Sequence, residues 1–272
     1  MTPKKTSLKL TALFAETLLA FSAQVKIITD VDGNKIDIPD RVERVADLWH
    51  ANNQIVLFLG GADKLVATTT MIAANPQYAE VYPNIKKVPV LTNGETIQVE
   101  ELLSQKPEAV LLSKKSMLTE VSQAGLKGVR VSFQDFDGLK KTMRITAEVL
   151  GDKAPAVAES YIKELEDNIQ FVESRIKDVK EAQRPTVLHI TKGTDLLMID
   201  GDKSMIGEWI KMAGGKSMLP DEANMVTVTM ESIVEANPDV IIIGSSGNKA
   251  QAAIEKIKSD PSWWSISAVK NN

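Results

Sequence analysis

The chain has no cysteine and only two histidines, His50 and His189. The first absence excludes disulfides, Cys-ligated zinc, iron–sulfur clusters and thiol catalysis together. It also removes the acylated cysteine that would tether an exported protein, so an exported product is expected without a lipid anchor. Positive charge is in deficit. The 32 Lys and Arg against 36 Asp and Glu leave a formal net charge of −4, which offers no basic field to a phosphate backbone, so no nucleic-acid partner is expected. Long apolar runs are missing, since no stretch approaches the ~20 residues of a membrane-spanning helix. There is no GxSxG, HExxH or GxxxxGK[ST], and the nearest glycine-rich loop, Gly244 to Lys249 (GSSGNK), departs from the phosphate-binding patterns. With no evident nucleophile, the chain is not expected to be an enzyme.

What is present begins with a leader. Residues 1–23 carry Lys4, Lys5 and Lys9, an apolar segment from Leu10 to Leu19, and the small residues Ala20, Ser22 and Ala23. That three-part form reads as a cleavable signal peptide for export to the periplasm. Glu16 interrupts the apolar segment and keeps an ordinary amphipathic helix open. At 272 residues, 43% apolar and 25% charged, the chain can bury a sizeable core in two modest domains or one large one.

The longest helical pattern runs from about Ala156 to Lys180. Ala158, Ile162, Leu165, Ile169, Val172, Ile176 and Val179 step by alternating fours and threes, which places them on one stripe. Pro155 suits the first turn and Pro185 follows the end. Such a helix is roughly 40 Å long at ~1.5 Å per residue, enough to cross between domains. One motif lies on either side of it: VEELLSQKPEAVLLS from Val99 to Ser113, and MESIVEANPDVIIIG from Met230 to Gly244. Glu100 matches Glu231, Leu102 matches Ile233, Leu103 matches Val234, Pro107 matches Pro238 and Glu108 matches Asp239. A short amphipathic helix stopped by Pro and followed by a buried strand is half of an α/β unit, and its recurrence predicts duplicated architecture.

The remaining pattern is α/β throughout. KIITDVDGNKIDIP reads as a hairpin around Asp32-Gly33. Strands at Arg44–Leu48 and Lys64–Ala67, the first motif's strand and GVRVS alternate with helices, which implies a parallel sheet covered on both faces. The scheme repeats after residue 184 with PTVLHIT, a second hairpin arm LLMID, the helix SMIGEWIKMAGG and the second motif. Ligands of such sheets lie beyond the carboxyl ends of the strands. That rule selects Trp49, His50, Thr68, Thr69, Met71, Ser113, Lys114, Phe133 and Asp135 in the first half, and Thr191, Lys192 and Ser245 in the second. His50 and His189 end or occupy matching strands and could ligate a metal or complete the coordination of a chelate; for His189, inside an apolar strand, a core role competes. Trp49 could stack on a ligand or pack in the core, and the lysines could pair with an anion or face solvent.

The hairpin, RVERVADLW, LGGADKLVATT, the paired E…P-[DE] motifs, the long helix and KMAGG resemble, in order from about Lys26 to Asn271, the periplasmic binding proteins of iron-siderophore, haem and cobalamin ABC importers. The resemblance implies an α/β fold of two Rossmann-like lobes with central mostly parallel sheets, joined by one long α-helix. Residues 24–150 would form the first lobe, 151–183 the interdomain helix and 184–272 the second lobe. It implies a metal chelate held between the lobes, an iron-siderophore first, with haem, cobalamin or a nickel or cobalt complex as the other options, and no intrinsic cofactor. Its partners would be an ABC permease dimer and its ATPase, met by a monomer. In this family one acidic residue on the tip of each lobe meets permease arginines, and Glu100 and Glu231 hold those positions; negative charge near a helix N-terminus is also stabilising in itself. Family members continue past the region matching SWWSISAVKNN with another strand and closing helices, so a shortened second lobe is expected. Siderophore and haem sites tend to be rich in Tyr and Arg, whereas this chain has three Tyr, which keeps a less aromatic ligand or an oxyanion open. A two-lobed transferase or chelatase-like enzyme using the same cleft is the alternative function, and a protein self-associating through its long helix is a third.

Overall fold

The computed structural model describes residues 24–245 and 247–271; the expected leader, residues 1–23, lies outside them. Val25–Thr29 (β1) and Lys35–Pro39 (β2) form the antiparallel hairpin. Its turn is held by the Asp30 carboxylate, which accepts from the N–H groups of Asp32 and Asn34, both at 2.9 Å. Gly33 follows with φ of 89°, a conformation open to glycine at no steric cost. Ile28 and Ile38 project from the hairpin into the first core.

Val45–Asp47 (β3), Leu65–Thr69 (β4), Val90–Thr92 (β5), Ala109–Leu112 (β6) and Gly128–Arg130 (β7) make one sheet in the order β5-β4-β3-β6-β7, parallel throughout. Alternate residues serve opposite faces, as the pleat requires. Val45, Ala109, Leu111 and Val129 join the core beneath the hairpin and the long helix. Ala46, Val110 and Leu112 join Leu102, Met117 and Val121 on the other face.

The long helix spans Ala154–Ile176, 23 residues with Pro155 in its first turn. It stops short of Lys180 because the Val179 N–H bonds the Ile176 carbonyl and the chain turns. Of the apolar stripe only Ala158 and Ile162 are fully buried, together with Ala154, all in the first lobe's core. Leu165 and Ile169 are half-buried and Val172 is exposed, and near the far end Ile176 packs against Gly214. The stripe thus anchors the helix at one end, touches the second lobe at the other, and crosses between them without a core of its own.

The second lobe departs from the expected mostly parallel sheet. Thr186–Lys192 (β8) turns back as a hairpin into Asp195–Ile199 (β9), to which Val226–Thr227 (β11) adds antiparallel. Lys216–Ser217 (β10) and Val240–Ile243 (β12) pair with β8 in parallel. β12 takes one edge of β8, while β10 and β9 share the other, so the sheet is mixed. Its core gathers Leu188, Ile190, Ile199, Ile233, Trp263 and Ile266.

The duplicated motif is duplicated in three dimensions, with its copies in separate sheets. Helices Val99–Ser104 and Met230–Ala236 lead into β6 and β12. Leu102 and Ile233 are wholly buried. Lys106 and Asn237, each just before the proline, take φ of 48° and 44°. Proline disfavours the right-handed helical conformation in its predecessor, and here the left-handed alternative ends both helices. Glu108 then accepts from the N–H groups of Glu43 and Arg44 at 2.6 and 3.0 Å, and Asp239 from that of Thr186 at 2.8 Å. Each acid therefore clamps the entry of its lobe's first core strand.

Candidate functional site

The carboxyl ends of β3, β4, β6 and β7 form a rim on the first lobe. β3 stops at Asp47, and after Leu48 and Trp49 the helix His50–Phe58 starts, which leaves Trp49 and His50 half-buried at the junction. The Trp49 ring lies 5.0 Å from that of Phe133, tilted by 52°, and 6.5 Å from the His50 imidazole, edge-on. Burial lowers the His50 pKa, so the ring is neutral at physiological pH. Met71, in the first turn of the short helix Thr70–Ala73 that follows adjacent β4, is 60% exposed. Asp135 is exposed but caps the helix Phe136–Leu150, accepting from the Gly138 N–H at 2.6 Å.

Beneath Trp49 and His50 lies a polar network. Asp47 is fully buried; one carboxyl oxygen accepts from the Trp49 N–H at 3.1 Å and the other from the Asn52 amide at 2.8 Å. Burial pushes its pKa up to about 8, against the lowering effect of those two donors. Asn52 accepts from Thr146 at 2.8 Å. Asn53 donates to the carbonyls of Asp47 and Trp49 and accepts from Thr68 at 2.7 Å. The junction that presents Trp49 and His50 is thus fixed from below.

This placement corrects several expectations. Thr68 and Thr69 are buried rather than on the rim: Thr68 is bonded to Asn53, and Thr69 accepts from the Ile72 N–H as a helix cap. Lys114 is half-buried and paired with Glu95 at 2.5 Å. The Ser113 carbonyl accepts from Arg130 at 2.8 Å, and Arg130 also pairs with Asp32 at 2.7 Å. In the second lobe Ser245 accepts from the Gly193 N–H at 2.7 Å, tying the β8–β9 turn to the end of β12. Thr191 is half-buried and Lys192 exposed at the end of β8.

His189 is not on a rim. It is buried, with Nδ1 2.7 Å from an Asp200 carboxylate oxygen and its ring edge-on to Trp209 at 5.9 Å. Metal ligation by His189 together with His50 is therefore set aside, and no group of three or more His, Asp or Glu side chains suited to a metal ion exists among the described residues. Asp47, Asn52 and Asn53 are the additions that the structure makes beneath the first rim. An aspartate inside an apolar strand, followed at the fifth and sixth positions by two asparagines whose helix goes on as Ile-Val-Leu-Phe after Gln54, was the signal for the network.

Two α/β lobes on a connecting helix, with an aromatic rim at the strand ends, define a solute receptor. The family model described as periplasmic binding protein matches residues 45–272, and the chain belongs to that family: it is a substrate-binding protein of the ABC-importer class and not an enzyme. It is similar to the substrate-binding lipoprotein YvrC of an ABC transporter in Bacillus subtilis, 24% identical over 253 residues that cover 90% of this chain and 76% of that protein. It is similar also to the high-affinity heme uptake system protein IsdE of Staphylococcus aureus (strain bovine RF122), 30% identical over 211 residues, covering 74% and 70%. Among solved structures, the molybdate-bound periplasmic binding protein MolA of Haemophilus influenzae aligns with a TM-score of 0.79 at 21% identity, covering 90% of this chain and 81% of that one. The vitamin B12 binding protein BtuF of Vibrio cholerae aligns at 0.67 and 18% identity, covering 86% of each. YvrC is a lipoprotein, which leaves the expectation of an unanchored protein without support among these relatives.

Proposed function

We propose that this chain captures a metal chelate with a broad apolar face, of the haem type, between its lobes, and as a monomer hands it to an ABC permease dimer driven by its ATPase. The observation that carries the ligand class is the first rim: Trp49 against Phe133, exposed Met71, and an imidazole that burial keeps neutral. A flat ring system covering ~150 Å² of that apolar surface would gain about 4 kcal/mol at ~25 cal/mol per Å². A neutral imidazole and a thioether are both ligands for the iron or cobalt of such a chelate. On the first rim Lys114 is paired with Glu95 and Arg130 with Asp32, which makes these two cations less available to a bare oxyanion or a highly anionic siderophore. The haem system in which IsdE serves supports the same ligand class. Glu100 and Glu231, exposed in the first turns of corresponding helices, one on each lobe, are suited to meet the permease.

Haemin titrated into purified protein, followed by its Soret absorbance, tests the ligand. Saturation at one haemin per chain is expected, with a displaced Soret maximum in His50→Ala. Cobalamin, a ferric siderophore, a nickel–histidine complex and molybdate are run in parallel by calorimetry. Saturable binding of molybdate or the siderophore without binding of haemin would overturn the ligand assignment.

A further inference from the structure

Each motif helix exposes an aliphatic side chain one turn after its glutamate. Leu103 is 42% exposed and Val234 39%. Glu100 and Leu103, like Glu231 and Val234, are three residues apart and therefore neighbours on one helix face. The core requirement of both helices is met elsewhere, by Leu102 and Ile233, each 0% exposed. A single exposed aliphatic residue needs no explanation. Here the same residue class is exposed at the same register of both copies, beside the same carboxylate, on helices that each run into a left-handed residue before proline, Lys106 in one and Asn237 in the other. The match extends the duplication from the buried framework to the surface.

We propose that Leu103 and Val234 are the apolar halves of two equivalent docking footprints, each seating beside its carboxylate on one subunit of the two-fold permease. The inference rests on the docking role proposed above for Glu100 and Glu231. A two-fold partner offers two identical sites, and only chemically equivalent patches can fill both. Two acid-plus-aliphatic pairs, one per lobe, meet that condition. An exposed ion pair is screened by salt and contributes little alone. An adjacent apolar contact that excludes water strengthens it and supplies an attraction that salt does not remove.

The test uses the permease–ATPase complex of the same importer in lipid nanodiscs, with association of the full-length protein measured at low and high salt. Leu103→Ser/Val234→Ser is expected to weaken association by about tenfold or more at both salt concentrations. Haemin binding and thermal midpoint should stay at the wild-type values, and Leu103→Met/Val234→Ile should restore association. Glu100→Gln/Glu231→Gln is expected to weaken association chiefly at low salt. Wild-type association of the serine variant, with loss in the glutamine variant, overturns this inference and leaves the docking role of the glutamates standing. Undiminished association of both variants, or none by the wild type, overturns the docking role and the inference with it.

Discussion

Asn52 donates its side-chain amide to the Asp47 carboxyl at 2.8 Å, and neither residue has exposed surface. With its pKa pushed up to about 8 by burial, Asp47 is predominantly protonated in the native protein at pH 7. An unfolded aspartate titrates near ~3.9, so between about pH 4 and 8 the folded state binds more protons than the unfolded state. Stability contributed by this group is complete below the lower value and falls as pH rises through the window.

Asp47→Asn removes that titration. Relative to wild type, the variant should gain on the order of 1 kcal/mol per pH unit between pH 5 and 7, whatever its stability at pH 5. Urea unfolding at pH 5, 6, 7 and 8 measures the difference. Parallel profiles for the two proteins would mean that Asp47 is ionised in the fold, held so by the Trp49 and Asn52 donors.

The second prediction separates two acids within each motif copy. Glu108 and Asp239 bond backbone N–H groups where the first core strand of each lobe enters, whereas Glu100 and Glu231 sit exposed in the first turn of a helix. Hydrogen bonds to an ionised group contribute ~1.5–3 kcal/mol when buried and less with partial exposure. Glu108→Ala should therefore cost about 1–2 kcal/mol, and Asp239→Ala about 1 kcal/mol. Glu100→Ala and Glu231→Ala should each cost less than either, because an exposed charge near a helix N-terminus is screened by solvent. Denaturant titration of the four single variants tests this ranking, and equal losses at all four would contradict it.

The same contrast marks how far the fold was legible. Hydrophobic spacing carries the hairpin, the first sheet, the long helix and the duplicated motif, because each is decided by local periodicity and by Pro or Gly at its ends. It does not carry the orientation of Thr68 and Thr69. They close a parallel strand buried on both faces, where alternation no longer separates rim from core, and Asn53 on a neighbouring helix draws Thr68 inward. The mixed second sheet was half legible: LLMID reads as a hairpin arm, but the two-residue strands β10 and β11 are too short to leave a pattern. Trp49, His50 and Phe133 were legible from their places after buried strands, whereas the approach of the Phe133 ring to Trp49 and the network beneath depend on side chains that only the tertiary fold brings together.

The remaining prediction concerns His189, for which the sequence favours a core role over a metal contact because it lies inside an apolar strand. Its Nδ1–H donates to Asp200, and the other Asp200 oxygen accepts from the N–H of Met225, a residue held at φ of 60°. Burial of Asp200 raises its pKa, but the hydrogen bonds from His189 and Met225 outweigh it and the net shift is downward. A depressed carboxylate pKa contributes stability that is present above the unfolded value and lost as pH falls through the folded one. Asp200→Ala should thus destabilise the protein by about 1–3 kcal/mol at pH 7, leaving a buried donor and a loop amide unpaired, with the deficit shrinking below about pH 4 as wild-type Asp200 protonates. His189→Phe should lower the thermal midpoint as well, yet leave the Soret spectrum of bound haemin unchanged, in contrast to His50→Ala. A displaced Soret maximum in His189→Phe would return His189 to the ligand site and require this lobe to open its histidine to the cleft.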